Sequence, residues 1–505
     1  MNFILALSPI LWLIISLGFL KMQSYKACPI ALIISFAVAL GIHHMNVPDA
    51  VTAALEGVAL ACWPILLVII AAIFTYNLTT YNKSMDIIKH MLTAVSKDRR
   101  VLVLLIGWGF GAFMEGMAGF GTAIAIPASM LVALGFNPVK AILACLIANS
   151  VPTTFGSIGI PASTLANITG LDPIHLATYI SLQLLPLNII CPLLMIIISE
   201  GSIKALKGVF LLTVLSGLAL AIPELIIAAF AGPELAAMGS SIVILAFIVI
   251  YSKVRPVNNP QYAMAIEPAH VPLRGGFIAC LPFILIFLFL LFTSKLVPAI
   301  NIPLNTIRTA VQIYTGQGGT PYTFVWIATP GILIFLAAII SGKIQSSGFG
   351  EMFCVFKSTV IGLRNTIITI IAVIATAKVM GYSGMTSEIA RTAVDATGIM
   401  YPFIAPLIGS VGTFITGSGT SSNVLFGNLQ TDAAVAISAD KTWLAAANSA
   451  GTCAGKMISP QSIAIAVGAI ALKGKDSEIL KEIVKVYVPF IILLGCIVYF
   501  GQTCI

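Results

Sequence analysis

Charge is what this sequence has least of. Asp, Glu, Lys and Arg together make up 9% of its 505 residues, where a soluble globular chain carries about 25%. With 59% of residues hydrophobic and a mean hydropathy of +1.06, there is too little polar side chain to cover a water-facing surface. That excludes a soluble enzyme and a disordered chain. No segment between the apolar runs is long enough to fold as a catalytic domain outside a bilayer. Metal-ligand spacing is also missing: the nine cysteines are scattered, no CxxC occurs, and His43-His44 is the only histidine pair. The cysteines read as small apolar fillers, with no disulfide framework, structural metal or cofactor. The net charge of +8 is a loop surplus of Lys and Arg, not a footprint for nucleic acid.

What is present is a series of spanning runs, each of about 17–25 residues. They fall near 3–20, 28–45, 57–77, 176–198, 208–228, 236–252, 277–294, 323–342, 358–378 and 486–503. Two further apolar regions, 101–170 and 401–472, are interrupted by Gly, Pro, Ser, Thr and Asn. The first run lacks a basic leader and a cleavage site, so it is expected to stay as a membrane helix. The loop 78–100 carries Lys83, Lys89, Lys97, Arg99 and Arg100, which places it in the cytoplasm. Counting outward puts the other basic loops on the same side, including those with Lys21 and Lys473, and both termini outside. The outer loop 295–322, with Lys295 and Arg308, is the exception.

The two interrupted regions repeat one another. "FGAFMEG" (110–116) matches "VGTFITG" (411–417), "ANS" (148–150) recurs at 447–449, and "GSIGIPAS" (156–163) matches "GKMISPQS" (455–462). Matches in one order at nearly one offset indicate a duplication. Upstream, 74–95 aligns with 375–396, pairing Tyr81 with Tyr382. The first copy has five basic residues between 78 and 100 and the second holds Arg391 against Glu388 and Asp395, so the copies are expected to be inserted upside down. Such inverted repeats are typical of secondary transporters, whose substrate lies near the midplane where the copies meet.

Irregular backbone at membrane depth needs protein or water to satisfy it. "EGMAGFG" (115–121) has three glycines, and its partner "GSGTSSN" (417–423) adds hydroxyls and Asn423. Both suit paired half-helices whose positive ends face an anion; close packing through small residues is the plainer alternative. Each copy also holds one deep ionisable group, Glu115 in the first and Lys456 in the second. A charge at bilayer depth costs about 2.5–3.5 kcal/mol on insertion scales. It is therefore expected either to serve substrate and proton or to form a structural ion pair. Glu56 and Asp49 read as facing the outer interface, Glu224 and Glu234 as lying near outer helix ends, Lys378 and Arg364 as snorkelling, and His175 as solvated.

"MEGMAGFGTAIAI", "LGFNP", "CLIANSVPTTFGSIGIP", "TSSNVLFGNLQ" and "AANSAGTCAGKMISPQSIAIA" resemble the lactate permease family along essentially the whole chain. The resemblance implies bacterial plasma-membrane carriers of lactate, and often glycolate, with protons. It also implies a mobile domain with paired re-entrant hairpins on a dimerising scaffold, working as an elevator. The site residues it implies are Glu115 for the proton and Gly119, Phe120, Gly121, Asn149, Ser422, Asn423, Asn448, Lys456, Ser459 and Gln461 for substrate. The family usually has an aspartate where Gly419 stands, which leaves the coupling ion and the exact acid open.

The expected fold is thus an all-α polytopic membrane protein of about 12–14 transmembrane segments with two inverted repeats, broken helices and re-entrant hairpins. Residues 1–53 form N-terminal helices, 54–170 the first repeat, 171–354 linking helices, 355–472 the second repeat, and 473–505 a cytoplasmic loop with the last helix. The expected function is import of a small 2-hydroxymonocarboxylate with protons across the bacterial inner membrane. Its partners are the carboxylate, the lipid bilayer and, as an option, a second copy in a homodimer, with no nucleic acid. A sodium-coupled carrier of another organic anion and a membrane subunit of an ion-translocating enzyme complex stay open as alternatives.

Overall fold

A computed structural model describes residues 2–20, 22–119, 121–257, 259–264, 272–319, 321–470, 472 and 475–504. Phe120, Lys21 and Lys473 lie outside the described residues. Apart from one short hairpin the described chain is helical, because every backbone N–H and C=O placed in lipid must be satisfied within its own segment. Among the described residues eleven helices are long and apolar enough to cross a membrane, and four shorter apolar ones accompany them.

The duplication is visible in the order and bounds of the elements. Helix Leu67–Tyr81 is followed by the amphipathic helix Ser84–Thr93, and Arg364–Tyr382 is followed in the same way by Met385–Thr397. Each copy then has a helical hairpin. In the first it joins Gly111–Met117 to Thr122–Ala133; in the second it joins Tyr401–Thr416 to Gly419–Ala436. Each hairpin leads to an interrupted helix. Pro138–Ser150 passes through a tight turn into Gly156–Thr169, and Lys441–Ile458 stops at Ser459 before Pro460–Ala469. Between the copies stand Pro173–Glu200, Phe210–Ala231, Pro233–Val254, Leu273–Thr293 and Pro330–Ile344.

Several sequence expectations are corrected. The run 323–342 is not one span: Tyr322–Val325 is a strand paired antiparallel with Arg308–Val311, and helix begins only at Pro330. The preceding loop also contains a helix, Pro298–Thr306. The run 358–378 is split at Leu363 between Phe349–Gly362 and Arg364–Tyr382. The run 57–77 sits inside a longer helical stretch, Val47–Tyr81, kinked at Trp63. There Pro64 has no N–H to continue the helical ladder.

Glu56 and Lys378 were expected at interfaces and instead find each other. Glu56 is 3% exposed, and the Lys378 ammonium donates to its Oε1 at 2.7 Å while the Tyr382 hydroxyl donates at 2.9 Å. Tyr314, from the segment before the second strand, stacks on Tyr382 with ring centroids 3.7 Å apart. The helices can meet this closely because of Gly57, where a Cβ would lie 2.6 Å from the Ala375 Cα. Glu224 likewise is not near a helix end but fully buried within Phe210–Ala231. His175 and Arg364 are exposed, as expected.

Removing one partner of a buried pair strands the other charge, at about 3–5 kcal/mol, whereas replacing both by apolar groups is near neutral. Glu56→Leu alone is therefore expected to lower the unfolding temperature of the detergent-solubilised protein well below that of Glu56→Leu with Lys378→Met. Equal loss in the two variants would show that the pair does not bear on stability.

Candidate functional site

The two hairpin tips and the two helix breaks converge on one cavity of about 460 Å³. At the first tip the helix ending at Met117 stops because Gly119 (φ +58°) and Gly121 (φ +88°) take left-handed conformations, which cost glycine little. A Cβ on Gly119 would strike the Ser157 hydroxyl, and one on Gly121 would come 2.7 Å from the Ile465 side chain. At the second tip Gly417 (φ +69°) ends the helix and Ser418 caps the next, its hydroxyl accepting from the Ser421 N–H at 3.2 Å. Gly419, Thr420 and Ser421, at the start of Gly419–Ala436, line the cavity.

The breaks have different local causes. In the first copy Ser157, Ile158 and Gly159 are left-handed in succession (φ 46°, 60° and 72°). Two of them carry a Cβ, so surrounding packing must hold them there. In the second copy Ser459 is extended before Pro460, as the residue preceding a proline prefers.

The breaks also carry matched contacts. The Ser157 hydroxyl donates to the Ala118 carbonyl at 2.9 Å, tying the first break to the first tip. The Lys456 ammonium donates to the Gly417 carbonyl at 2.9 Å, tying the second break to the second tip. Both donors and both acceptors are related by the 299-residue spacing that also separates Asn149 from Asn448. The same bond is thus made twice, once by a hydroxyl and once by a charge.

Of the residues expected at the site, Glu115, Lys456 and Gln461 line the cavity, with Gly156, Ser157 and Gly417–Ser421 beside them. Glu115 and Lys456 make no ion pair within 4.0 Å among the described residues, so the structural-pair alternative is not realised. Glu115 Oε2 is buried without a hydrogen-bond partner there. Gly119 and Gly121 shape the first tip from behind the wall. Ser422, Asn423 and Asn448 hold the half-helices together. Ser422 donates to the Gly409 carbonyl at 2.7 Å, Asn423 Nδ2 donates to the Pro161 carbonyl at 3.0 Å and to Ser449 Oγ at 2.9 Å, and Asn448 Nδ2 donates to Asn423 Oδ1 at 3.0 Å. Asn149 and the Ser459 hydroxyl are buried, with side-chain atoms that have no hydrogen-bond partner among the described residues.

The opposite wall went unread in the sequence. Gln23, Ser24 and Tyr25 start helix Ser24–Gly41, and Asn365, Thr366 and Thr369 lie on the first turns of Arg364–Tyr382. Their one usable signal is three polar residues at i, i+1 and i+4 opening an apolar helix, which marks one face.

The cavity therefore presents an ammonium, a half-helix N-terminus, hydroxyls, amides and one unpaired carboxyl, on walls that also carry Leu17, Met22, Ile370, Phe414 and Ile465. That set suits a small anion whose charge is met by Lys456 and the amides.

A family profile described as L-lactate permease matches residues 2–504. An L-lactate permease of Streptococcus iniae is 44% identical over 89% of this chain and 94% of its own length. The glycolate permease GlcA of Escherichia coli K12 is 34% identical over 98% of this chain and 94% of its own. Among solved structures, MtrF of Neisseria gonorrhoeae, from a class of antimetabolite efflux pumps, aligns at a TM-score of 0.48 and 13% identity, covering 88% of this chain and 83% of its own.

Forcing a Cβ into a left-handed position costs about 1–2 kcal/mol. Gly417→Ala, whose Cβ also lands on the Gln461 side chain, is expected to lower the unfolding temperature measurably. Gly41→Ala, where no atom lies within 4 Å, should leave it unchanged. Equal unfolding temperatures would mean the tip is not held as described.

Proposed function

Because the chain belongs to the L-lactate permease family, multi-pass membrane permeases rather than enzymes, we propose that it imports a small 2-hydroxymonocarboxylate with protons across the bacterial inner membrane. L-lactate, D-lactate and glycolate are the candidate acids, consistent with the names of its relatives. The observation that carries the reading is the cavity at the two tips, which joins a buried lysine to an unpaired buried glutamate.

In this reading Lys456 and the Gly419 and Thr420 amides hold the carboxylate. Gln461 and the Asn365–Thr369 face orient the hydroxyl. Asn423 and Asn448 fix the half-helices, and Asn149, unpartnered beside the first break, supports the tip that closes on substrate. Glu115 takes up and releases the proton. One proton with one monoanion is electroneutral, so pH and substrate gradients supply the driving force. The half-helices of the two copies would move together, as an elevator, against the helices that carry Tyr25 and Asn365. That motion, the inverted insertion of the copies and a homodimer of the outer helices belong to the same proposal. No cofactor is required.

Uptake of labelled lactate into proteoliposomes under an imposed pH step tests the reading. A charged hydrogen bond is worth about 1.5–3 kcal/mol, so Lys456→Ala should lower uptake by about 10-fold or more. Glu115→Gln should make uptake indifferent to the pH step. Wild-type uptake by Lys456→Ala would remove the carboxylate role. Uptake that needs sodium and ignores the pH step would replace the proton by sodium.

A further inference from the structure

A second carboxyl is buried among these helices without any charge to meet it. Glu224 is fully buried in Phe210–Ala231, and no lysine or arginine nitrogen lies within 4.0 Å of it among the described residues. Its one hydrogen bond comes from a neutral amide: Asn188 Nδ2 donates to Glu224 Oε1 at 3.3 Å. The remaining oxygen of each side chain, Glu224 Oε2 and Asn188 Oδ1, is buried with no donor among the described residues. Two orphan acceptors thus sit on two side chains already joined by one bond.

The approach is built into the backbone. Pro192 has no N–H for the Asn188 carbonyl one turn earlier. Gly217 lets the neighbouring helix come so near that a Cβ there would lie 2.8 Å from that carbonyl. An ionised carboxylate in such surroundings has neither solvent nor counter-charge. A carboxylic acid behaves differently, because its O–H is a donor. One proton on Oε2 would give both orphan atoms a bond at once, closing an acid–amide ring.

We propose that Glu224 and Asn188 form a second proton site of this carrier, with the proton on Glu224 Oε2 donated to Asn188 Oδ1. The proposal rests on the proton-coupled reading of the cavity. It extends that reading from Glu115 to a carboxyl outside the cavity. The two acids lie one layer apart. Gly116, next to Glu115, packs against the 233–254 helix so closely that a Cβ would lie 3.1 Å from the Met238 N, and that helix is paired with the one bearing Glu224. Phe210–Ala231 packs chiefly against Pro173–Glu200 and Pro233–Val254. Of the titratable groups on those helices, Cys191 is the buried one near Asn188; His175, Tyr179 and Glu200 on the first, and Glu234, Tyr251 and Lys253 on the second, lie toward the helix ends. The proton comes from water on one side and returns to water on the other, with no bond to substrate made or broken; together with the proton on Glu115 it makes two protons per monoanion, so a cycle that uses both sites moves one net positive charge.

Infrared difference spectroscopy of the full-length protein in lipid reads the proton directly and needs no transport. A protonated-carboxyl C=O band at neutral pH is expected, absent in Glu224→Gln and displaced in Asn188→Leu, which removes the ring partner. Should Glu224→Gln not fold, the displacement in Asn188→Leu still identifies the band. A band that is missing in sodium buffer and appears in choline would make the pair a sodium site and overturn the proposal, as would a band indifferent to both substitutions. In proteoliposomes, Glu224→Gln should keep lactate counterflow within about 2-fold of wild type and lose about 10-fold or more of pH-driven accumulation. Unchanged accumulation would reduce Glu224 to a static acid and also overturn the proposal. Loss of counterflow in the wild-type protein would instead count against the substrate reading.

Discussion

An ammonium bonded to a backbone carbonyl at a helix end holds this site together. Lys456 reaches the Gly417 carbonyl, a group left over because the left-handed glycine stops the helix there. A buried helix end without partners is costly, and so is a buried ammonium without an acceptor. Each supplies what the other lacks, at the wall of the one cavity both repeats share. The bond leaves the lysine with two further N–H donors, which is the chemical basis for its reading as an anion anchor.

The duplication explains why the site is asymmetric in charge while nearly symmetric in shape. Ser157 and Lys456 occupy equivalent positions and make equivalent bonds to Ala118 and Gly417. A hydroxyl is enough to fasten the first tip, so the positive charge at the second is more than fastening alone requires. The carboxyl of Glu115 is surplus in the same sense: Gly156 accommodates it, with a would-be Cβ 2.5 Å from its Oε1, yet Oε2 bonds to nothing described. Charges beyond what fastening requires, kept at considerable electrostatic cost, are where function is sought.

Much of this was legible in the chain. The spans followed from apolar length, and the repeat from matched Gly, Asn, Ser and Pro. The tips followed from glycines that only a break in the helix would require. What escaped depended on contacts distant in sequence. Glu56 and Lys378 are 322 residues apart, so each alone looked like an interfacial charge. Glu224 looked terminal because the apolar run around it reads as ending near 228, whereas the helix continues to Ala231. The strands Arg308–Val311 and Tyr322–Val325 are short, the first exposed throughout and the second mostly half-buried, with little apolar alternation to announce them. The wall formed by Asn365, Thr366 and Thr369 was hidden by the false union of two helices across Leu363. A period calculated over 358–378 averages two different faces.

The central claim is that a small carboxylate sits between the second tip and Glu115, with Lys456 on its charge. The most direct measurement is an electron cryomicroscopy structure of the full-length protein in lipid with lactate at saturating concentration. The account predicts density for the acid inside this cavity, its carboxylate within hydrogen-bond distance of Lys456 Nζ and the Gly419 and Thr420 amides. Density elsewhere, with Lys456 still bonded only to Gly417, would contradict it.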